Sequence, residues 1–325
     1  MARRAPGQVG FVLLLFAGFL PFCGTAAAQS GSDGAGVSVA RAYPDRGAGL
    51  ASTIRLDVKL VLIPVTVTDP FGQPIAGVPR DAFRLFEDGV EQRLSYFATE
   101  DAAISMGVLF DASGSMQRKL ERSREAVSQL FKTSMPGDEF FLLEFNDTPR
   151  VLCDFTNDVE QIQNTLTSVS AKGWTALFDA VCLAVHKMKR ARNPRRVLLI
   201  LSDGADNRSR YSESEIRQLV READVCIYSI GMLGPGASRH SMRVLKNLAE
   251  ETGGRLFEVG KPSELPEAVG RMSAALRNQY VLGYSSSNVE SDGKYRKVEV
   301  RLKQPPNAPP LRASWRVGYY APAGR

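Results

Sequence analysis

Residues 104–115 read Ile104-Ser105-Met106-Gly107-Val108-Leu109-Phe110-Asp111-Ala112-Ser113-Gly114-Ser115. A short apolar run ends abruptly in a polar, glycine-containing loop. Such a run suits a central strand covered on both faces. The pattern returns at Val197-Leu198-Leu199-Ile200-Leu201, followed by Ser202-Asp203-Gly204. Around these two runs, strand and helix signals alternate. Helical spacing is read over 118–132, 159–169, 175–188 and 241–251, and again over 265–276. Ser212-Glu213-Ser214-Glu215 spells a capping box ahead of a further helix to Ala223. Shorter strands are read at 140–145, 151–155, 225–230 and 256–259. Alternation of this kind predicts an α/β fold, a doubly wound and mostly parallel sheet with helices on both faces.

Working outward, β patterns flank this region on both sides. Leu56, Val58, Leu60 and Leu62 alternate, then Val65 and Val67 continue in the offset phase across Pro64. That shift predicts a bulge or an edge strand. Phe83–Phe86 and Arg93–Phe97 flank Glu87-Asp88-Gly89 as a hairpin signal. Past Gln279, strands are expected at 280–284, 294–302 and 311–320. The organisation read is a leader, then a β module over 54–101, an α/β domain over 102–278 and a C-terminal β segment over 279–325. The two β regions are expected to pair, because neither has a complete core alone.

The first 28 residues read as a signal peptide. Arg3 and Arg4 precede an apolar run over 9–22, and Ala26-Ala27-Ala28 is a small-residue cleavage site. The run is short for a membrane span of ~20 residues. Pro21-Phe22 fits poorly ahead of a lipid-anchored Cys23. Residues 29–53, rich in Gly, Ser and Ala, read as a flexible leader. Cleavage would lower the net charge from +6 to +4. No Lys/Arg block favours a nucleic-acid partner. Cleavage would also leave three of the four cysteines, Cys153, Cys182 and Cys226. They share no C-x-x-C spacing, so a zinc site is disfavoured. Small buried residues are the main reading for them, with one disulfide left open. The mature protein is expected to be secreted or periplasmic, with no transmembrane segment.

Ligands of open α/β sheets bind at the carboxyl ends of strands. Asp111, Ser113 and Ser115 come after the first apolar run, Asp203 comes after the second, and Thr175 opens the middle helix. Two carboxylates and three hydroxyls are hard oxygen ligands that suit Mg²⁺. The bland reading is that Asp111 or Ser115 caps the next helix. Five residues in this order favour the metal.

The D-x-S-x-S of Asp111–Ser115, with Thr175 and Asp203, resembles the metal-ion-dependent adhesion site of von Willebrand factor type A domains. The flanks 83–92, 279–284, 295–300 and 318–321 resemble a secreted bacterial group of VWFA-related, acidobacterial-type proteins. The resemblance implies a Rossmann-like core over 102–278 that binds Mg²⁺, or Mn²⁺ or Ca²⁺ in its place. It implies that Ser113, Ser115 and often Thr175 touch the ion, with Asp111 and Asp203 commonly acting through water. A partner protein would supply an Asp or Glu carboxylate as the last ligand. Trp174 stands where the family often has a small residue. It either lines the binding rim or packs on the sheet edge.

An enzyme is not expected. Only His186 and His240 are present, both away from strand ends, and no nucleophile elbow, zincin motif or phosphate loop occurs. Two alternatives remain. One is a structural scaffold within an envelope complex. The other is a phosphatase with Asp111 as nucleophile, although Ser113 stands where a second acid is wanted.

Overall fold

In the computed structural model, residues 60–100, 102–234, 237–304 and 309–323 are described. The expected signal peptide 1–28, the leader 29–53 and the start of the first strand, 54–59, lie outside the described residues. The described residues all fall in one compact unit.

The chain opens with strands β1 (Leu60–Thr68), β2 (Phe83–Glu87), β3 (Val90–Gln92) and β4 (Leu94–Glu100). The central region comes next as β5 (Ile104–Asp111), α1 (Leu120–Phe131), β6 (Glu139–Phe145), β7 (Pro149–Thr156), α2 (Val159–Thr167) and α3 (Leu177–Met188). It continues with β8 (Arg195–Ser202), α4 (Glu213–Glu222), β9 (Cys226–Met232), α5 (Arg239–Glu251), β10 (Leu256–Val259) and α6 (Leu265–Arg277). Last come β11 (Gln279–Ser285), β12 (Tyr295–Leu302), β13 (Arg312–Trp315) and β14 (Gly318–Tyr320).

The central sheet has the order β10-β9-β8-β5-β6-β7. All neighbours are parallel except the edge strand β7, which runs antiparallel to β6. This is the doubly wound sheet expected from the sequence. Every residue of β5 is buried. On one face, Met106, Val108 and Phe110 pack with Val127 and Leu130 of α1 and with Val269 and Met272 of α6. On the other, Leu109 packs with Val181 of α3, Val220 of α4 and Leu248 of α5. Each such buried side chain contributes about 1.5–3 kcal/mol. The middle of the sheet is therefore the rigid base on which its end loops stand.

The flanking β regions do pair, as two antiparallel sheets. One has the order β13-β1-β11-β4 and the other β14-β12-β2-β3. Between them lie Ile63, Val65, Leu85, Tyr280, Leu282 and Val298. Register and face depart from the sequence reading at three places. Leu60 and Leu62 point outward, at 46% and 51% exposure, whereas Ile63, Val65 and Val67 are buried. The odd-numbered face is thus the core face, no phase shift occurs, and the pairing of β1 with β11 has no bulge. The edge character at Pro64 does hold on one side, because β13 pairs only with Val65–Thr68. The hairpin joins β2 to β3 rather than to Arg93–Phe97. Its turn residues Asp88 and Gly89 have φ of 48° and 83°. Two positive φ values give a tight turn whose twist matches the strands, so Val90 pairs at once. β4 then crosses to the other sheet. Finally, 311–320 is not one strand: β13 pairs with β1 and β14 with β12.

The central region is inserted into this sandwich through two short links, β4 to β5 and α6 to β11. Its ends meet because Gln279 pairs with Glu100. The links lie at the amino end of β5. Asp111 lies at its carboxyl end, ~23 Å away at ~3.3 Å per strand residue. The three described cysteines are free thiols, so the disulfide left open by the sequence is not formed.

Candidate metal centre

β5 and β8 are adjacent, and an aspartate stands at the end of each. Asp111 is fully buried, as is Asp203 just past β8. Asp111 Oδ1 accepts the backbone N–H of Ser113 at 2.9 Å, and its Oδ2 accepts the Ser202 hydroxyl at 2.5 Å. Ser202 Oγ in turn accepts the backbone N–H of Gly204 at 2.9 Å, so it bridges the two strand ends. Burial pushes the Asp111 carboxyl up to about 6, against the pull of the Ser113 and Ser202 hydrogen bonds. The nearby Asp203 charge pushes it the same way.

Ser113 is 1% exposed and Thr175 3%. The Ser113 and Ser115 hydroxyls are 3.2 Å apart, and Ser115 is exposed. Ser113 begins the short 3-10 turn Gly114–Met116 without capping it through its side chain. The N-cap of α1 is Lys119. The helix-cap reading of Asp111 and Ser115 is thereby set aside for α1.

Backbone hydrogen bonds tie the three loops together. Gly114 N–H donates to Gly173 O at 3.1 Å, and Lys172 N–H to Ala112 O at 2.8 Å. Thr175 N–H donates to Asn207 Oδ1 at 2.8 Å, and Thr175 O accepts from Asn207 and Arg208 N–H at 3.0 and 3.1 Å. Thr175 is therefore held by the loop that carries Asp203. Gly173 has φ of 77°, and a Cβ there would run into the Asp147 carboxylate. That carboxylate accepts Trp174 N–H at 3.1 Å. The turn needs glycine both for its φ and for this close approach. Trp174 is 61% exposed, which places it on the rim rather than against the sheet.

The sequence reading missed one charge. Lys119, which falls in the helical spacing over 118–132, is 6% exposed. Its Nζ lies 3.4 Å from Asp203 Oδ2 and 3.4 Å from Met232 O at the end of β9. No local signal marks it, because its partners come from two other strands. Ser202 and Asn207 were also missed, although Ser202 belongs to the quoted Ser202-Asp203-Gly204.

The donors fit a hard cation. Asp203 Oδ1 is buried and accepts no hydrogen bond. A buried carboxylate oxygen without a donor costs free energy unless a cation meets it. Among the described residues, no three His, Cys, Asp or Glu cluster as a metal site. The set offered is two carboxylates and three hydroxyls, which favours oxygen-seeking ions over zinc. The histidines are elsewhere. His186 is exposed on α3 with Nδ1 2.8 Å from Cys182 O. His240 lies inside α5, 4.0 Å from Glu213.

The carboxyl end of this doubly wound sheet thus carries D-x-S-x-S, a threonine and an aspartate. Residues 106–205 match the von Willebrand factor type A domain model. The chain carries a von Willebrand factor type A domain. Inter-alpha-trypsin inhibitor heavy chain H4 of Bos taurus is 27% identical over 216 residues, 60% of this chain and 24% of that protein. The Sus scrofa heavy chain H4 is 32% identical over 180 residues, 50% of this chain and 19% of that protein. The chain thus corresponds to about a fifth to a quarter of the length of these relatives. A solved von Willebrand factor type A structure from Catenulispora acidiphila is 13% identical with a TM-score of 0.49, covering 81% of this chain and 73% of that one.

Proposed function

We propose that this protein is a binding module in which Asp111, Ser113, Ser115, Thr175 and Asp203 hold a divalent cation that captures a carboxylate from a partner protein. The observation that carries the reading is Asp203 Oδ1, buried without a donor beside the equally buried Asp111. Ser113 and Ser115 would be direct ligands, with Ser115 at the mouth. Mg²⁺ suits the donor set, and Mn²⁺ or Ca²⁺ would substitute. The bound ion supplies a Lewis-acidic position for an incoming oxygen. An Asp or Glu of the partner would fill it, with Trp174 as a rim contact.

The centre is proposed as non-enzymatic. Both oxygens of Asp111 are engaged and the side chain is fully buried, which disfavours it as a phosphatase nucleophile. The signal-peptide pattern over 1–28 supports export to the periplasm or exterior. Among the described residues, no helix is long and apolar enough to cross a membrane.

Calorimetry on metal-stripped protein tests the reading. Mg²⁺ and Mn²⁺ are expected to bind the native protein, and Asp111→Ala to abolish binding while circular dichroism stays unchanged. Absence of binding to native protein rejects the metal centre. Binding of metal without any effect of EDTA on partner pull-down would favour a structural role.

A further inference from the structure

We propose that Lys119 is the resident counter-charge of this centre, which leaves the loaded site with one net positive charge and so makes an anion its preferred last ligand. The inference rests on the metal-binding reading above.

Lys119 is built into the site. Its backbone N–H donates to Met116 O at 2.8 Å, and its carbonyl accepts Ser123 N–H at 2.9 Å and the Ser123 hydroxyl at 3.0 Å. The side chain runs inward, 7% exposed, between Asp203 and Met232 O. A Cβ on Gly234 would sit 3.3 Å from Lys119 Cε, so the loop after β9 closes over it. An ammonium this deeply buried stays only where it is paired.

Its pairing is lopsided. Lys119 reaches Asp203 Oδ2 and leaves Oδ1 without a partner. It therefore compensates the charge of Asp203 without occupying the oxygen that faces no donor. Two carboxylates and one ammonium leave the cluster at one negative charge. A divalent cation brings it to one positive charge. Without Lys119 the loaded cluster would be neutral, and an incoming carboxylate would gain less from it. In a dry site, a unit charge a few ångströms away changes such an interaction strongly. Lys119 thus weakens hold on the metal and strengthens hold on the partner's carboxylate. It acts on both ligands through charge, as a positioning and specificity-determining residue.

Effects of opposite sign are expected, which a merely structural lysine would not produce. In Lys119→Met, Mn²⁺ affinity by calorimetry is expected to rise roughly tenfold or more. Acetate affinity of the Mn²⁺-loaded protein, read by Mn²⁺ paramagnetic resonance, is expected to fall severalfold. Lys119→Arg keeps the charge and should match the native protein on both readouts. Should Lys119→Met fail to fold, Lys119→Gln keeps a donor for Met232 O and serves instead. Unchanged Mn²⁺ and acetate affinities in a folded charge-removing variant overturn this proposal alone. Affinities that both fall also overturn it, in favour of a structural role. Failure of the native protein to bind Mn²⁺ overturns the metal centre and this proposal together.

Discussion

Two of the molecule's buried carboxylates, Glu87 in the sandwich and Asp203 at the end of the parallel sheet, are treated in opposite ways. In the sandwich, Glu87 is 2% exposed. Its Oε2 accepts the Tyr284 hydroxyl at 2.7 Å and the Tyr319 hydroxyl at 2.8 Å, and its Oε1 accepts the Ser286 hydroxyl. Arg296 Nη1 stands 3.9 Å from Oε1. Both oxygens are met. At the carboxyl end of the parallel sheet, Asp203 has one oxygen beside Lys119 and one beside no donor. A fully met buried carboxylate holds structure together, because each hydrogen bond to a charged group contributes about 1.5–3 kcal/mol. A half-met one is left short of partners and gains by recruiting a cation. The links to the sandwich and Asp111 stand at opposite ends of β5, ~23 Å apart at ~3.3 Å per strand residue.

Breaking the sandwich network should have the largest effect on stability. Glu87→Ala strands the Tyr284 and Tyr319 hydroxyls and removes the charge facing Arg296 Nη1, although Arg296 Nη2 keeps Asp292 at 3.0 Å. The change is expected to cost about 3–5 kcal/mol in urea unfolding. Mn²⁺ affinity should survive it under native conditions. A loss of metal affinity equal to that of Asp111→Ala would show that the two regions are not separable.

The metal end should respond to its ligand instead. At a Mn²⁺ concentration of about 100 times Kd, the folded state should gain about 2.7 kcal/mol, seen as a rise in Tm that EDTA reverses. Asp203→Ala should remove that gain. Equal gains in native protein and Asp203→Ala would place the metal elsewhere.

Tyr319→Phe removes one of the hydroxyls on Glu87 and should cost about 1.5–3 kcal/mol, with no change in metal affinity. The same cluster predicts an alkaline limit. Burial, and then hydrogen bonding to Glu87, push the Tyr319 hydroxyl up to about 12, and the Tyr284 hydroxyl is raised for the same reasons. A group with a raised folded-state value keeps its proton longer when folded than when unfolded. Stability from this cluster is therefore intact below pH ~10 and lost as pH rises through the folded value. Urea unfolding across that range should show a shallower decline in Glu87→Gln than in the native protein.

Trp174→Ala should have the smallest effect on the fold, within about 0.5 kcal/mol, because the ring is 61% exposed. Partner capture should weaken in the same variant. A destabilisation of several kcal/mol would return Trp174 to the packing role.

The central sheet was legible because its strands are local apolar runs, and burial on both faces needs no register to be recognised. The candidate oxygen donors were legible because each comes directly after a strand or opens a helix. The sandwich was read less well. Leu60 and Leu62 look like core residues, but the face that packs is chosen by β11 and β12, which come more than 200 residues later in the chain. The tight turn at Asp88 and Gly89 likewise moved the hairpin partner from Arg93–Phe97 to Val90–Gln92.

By itself, the sequence determined the doubly wound sheet, the order of its elements and the five oxygen donors at its carboxyl end. Those features depend on short-range periodicity and on the polar residues at the end of each strand. Only the tertiary structure decided that Lys119 joins Asp203, that Ser202 bridges to Asp111 and that Trp174 stands on the rim. It also decided that Glu87 is satisfied while Asp203 is not. Charge compensation is a property of three-dimensional neighbours, and Lys119 and Asp203 are 84 residues apart in the chain.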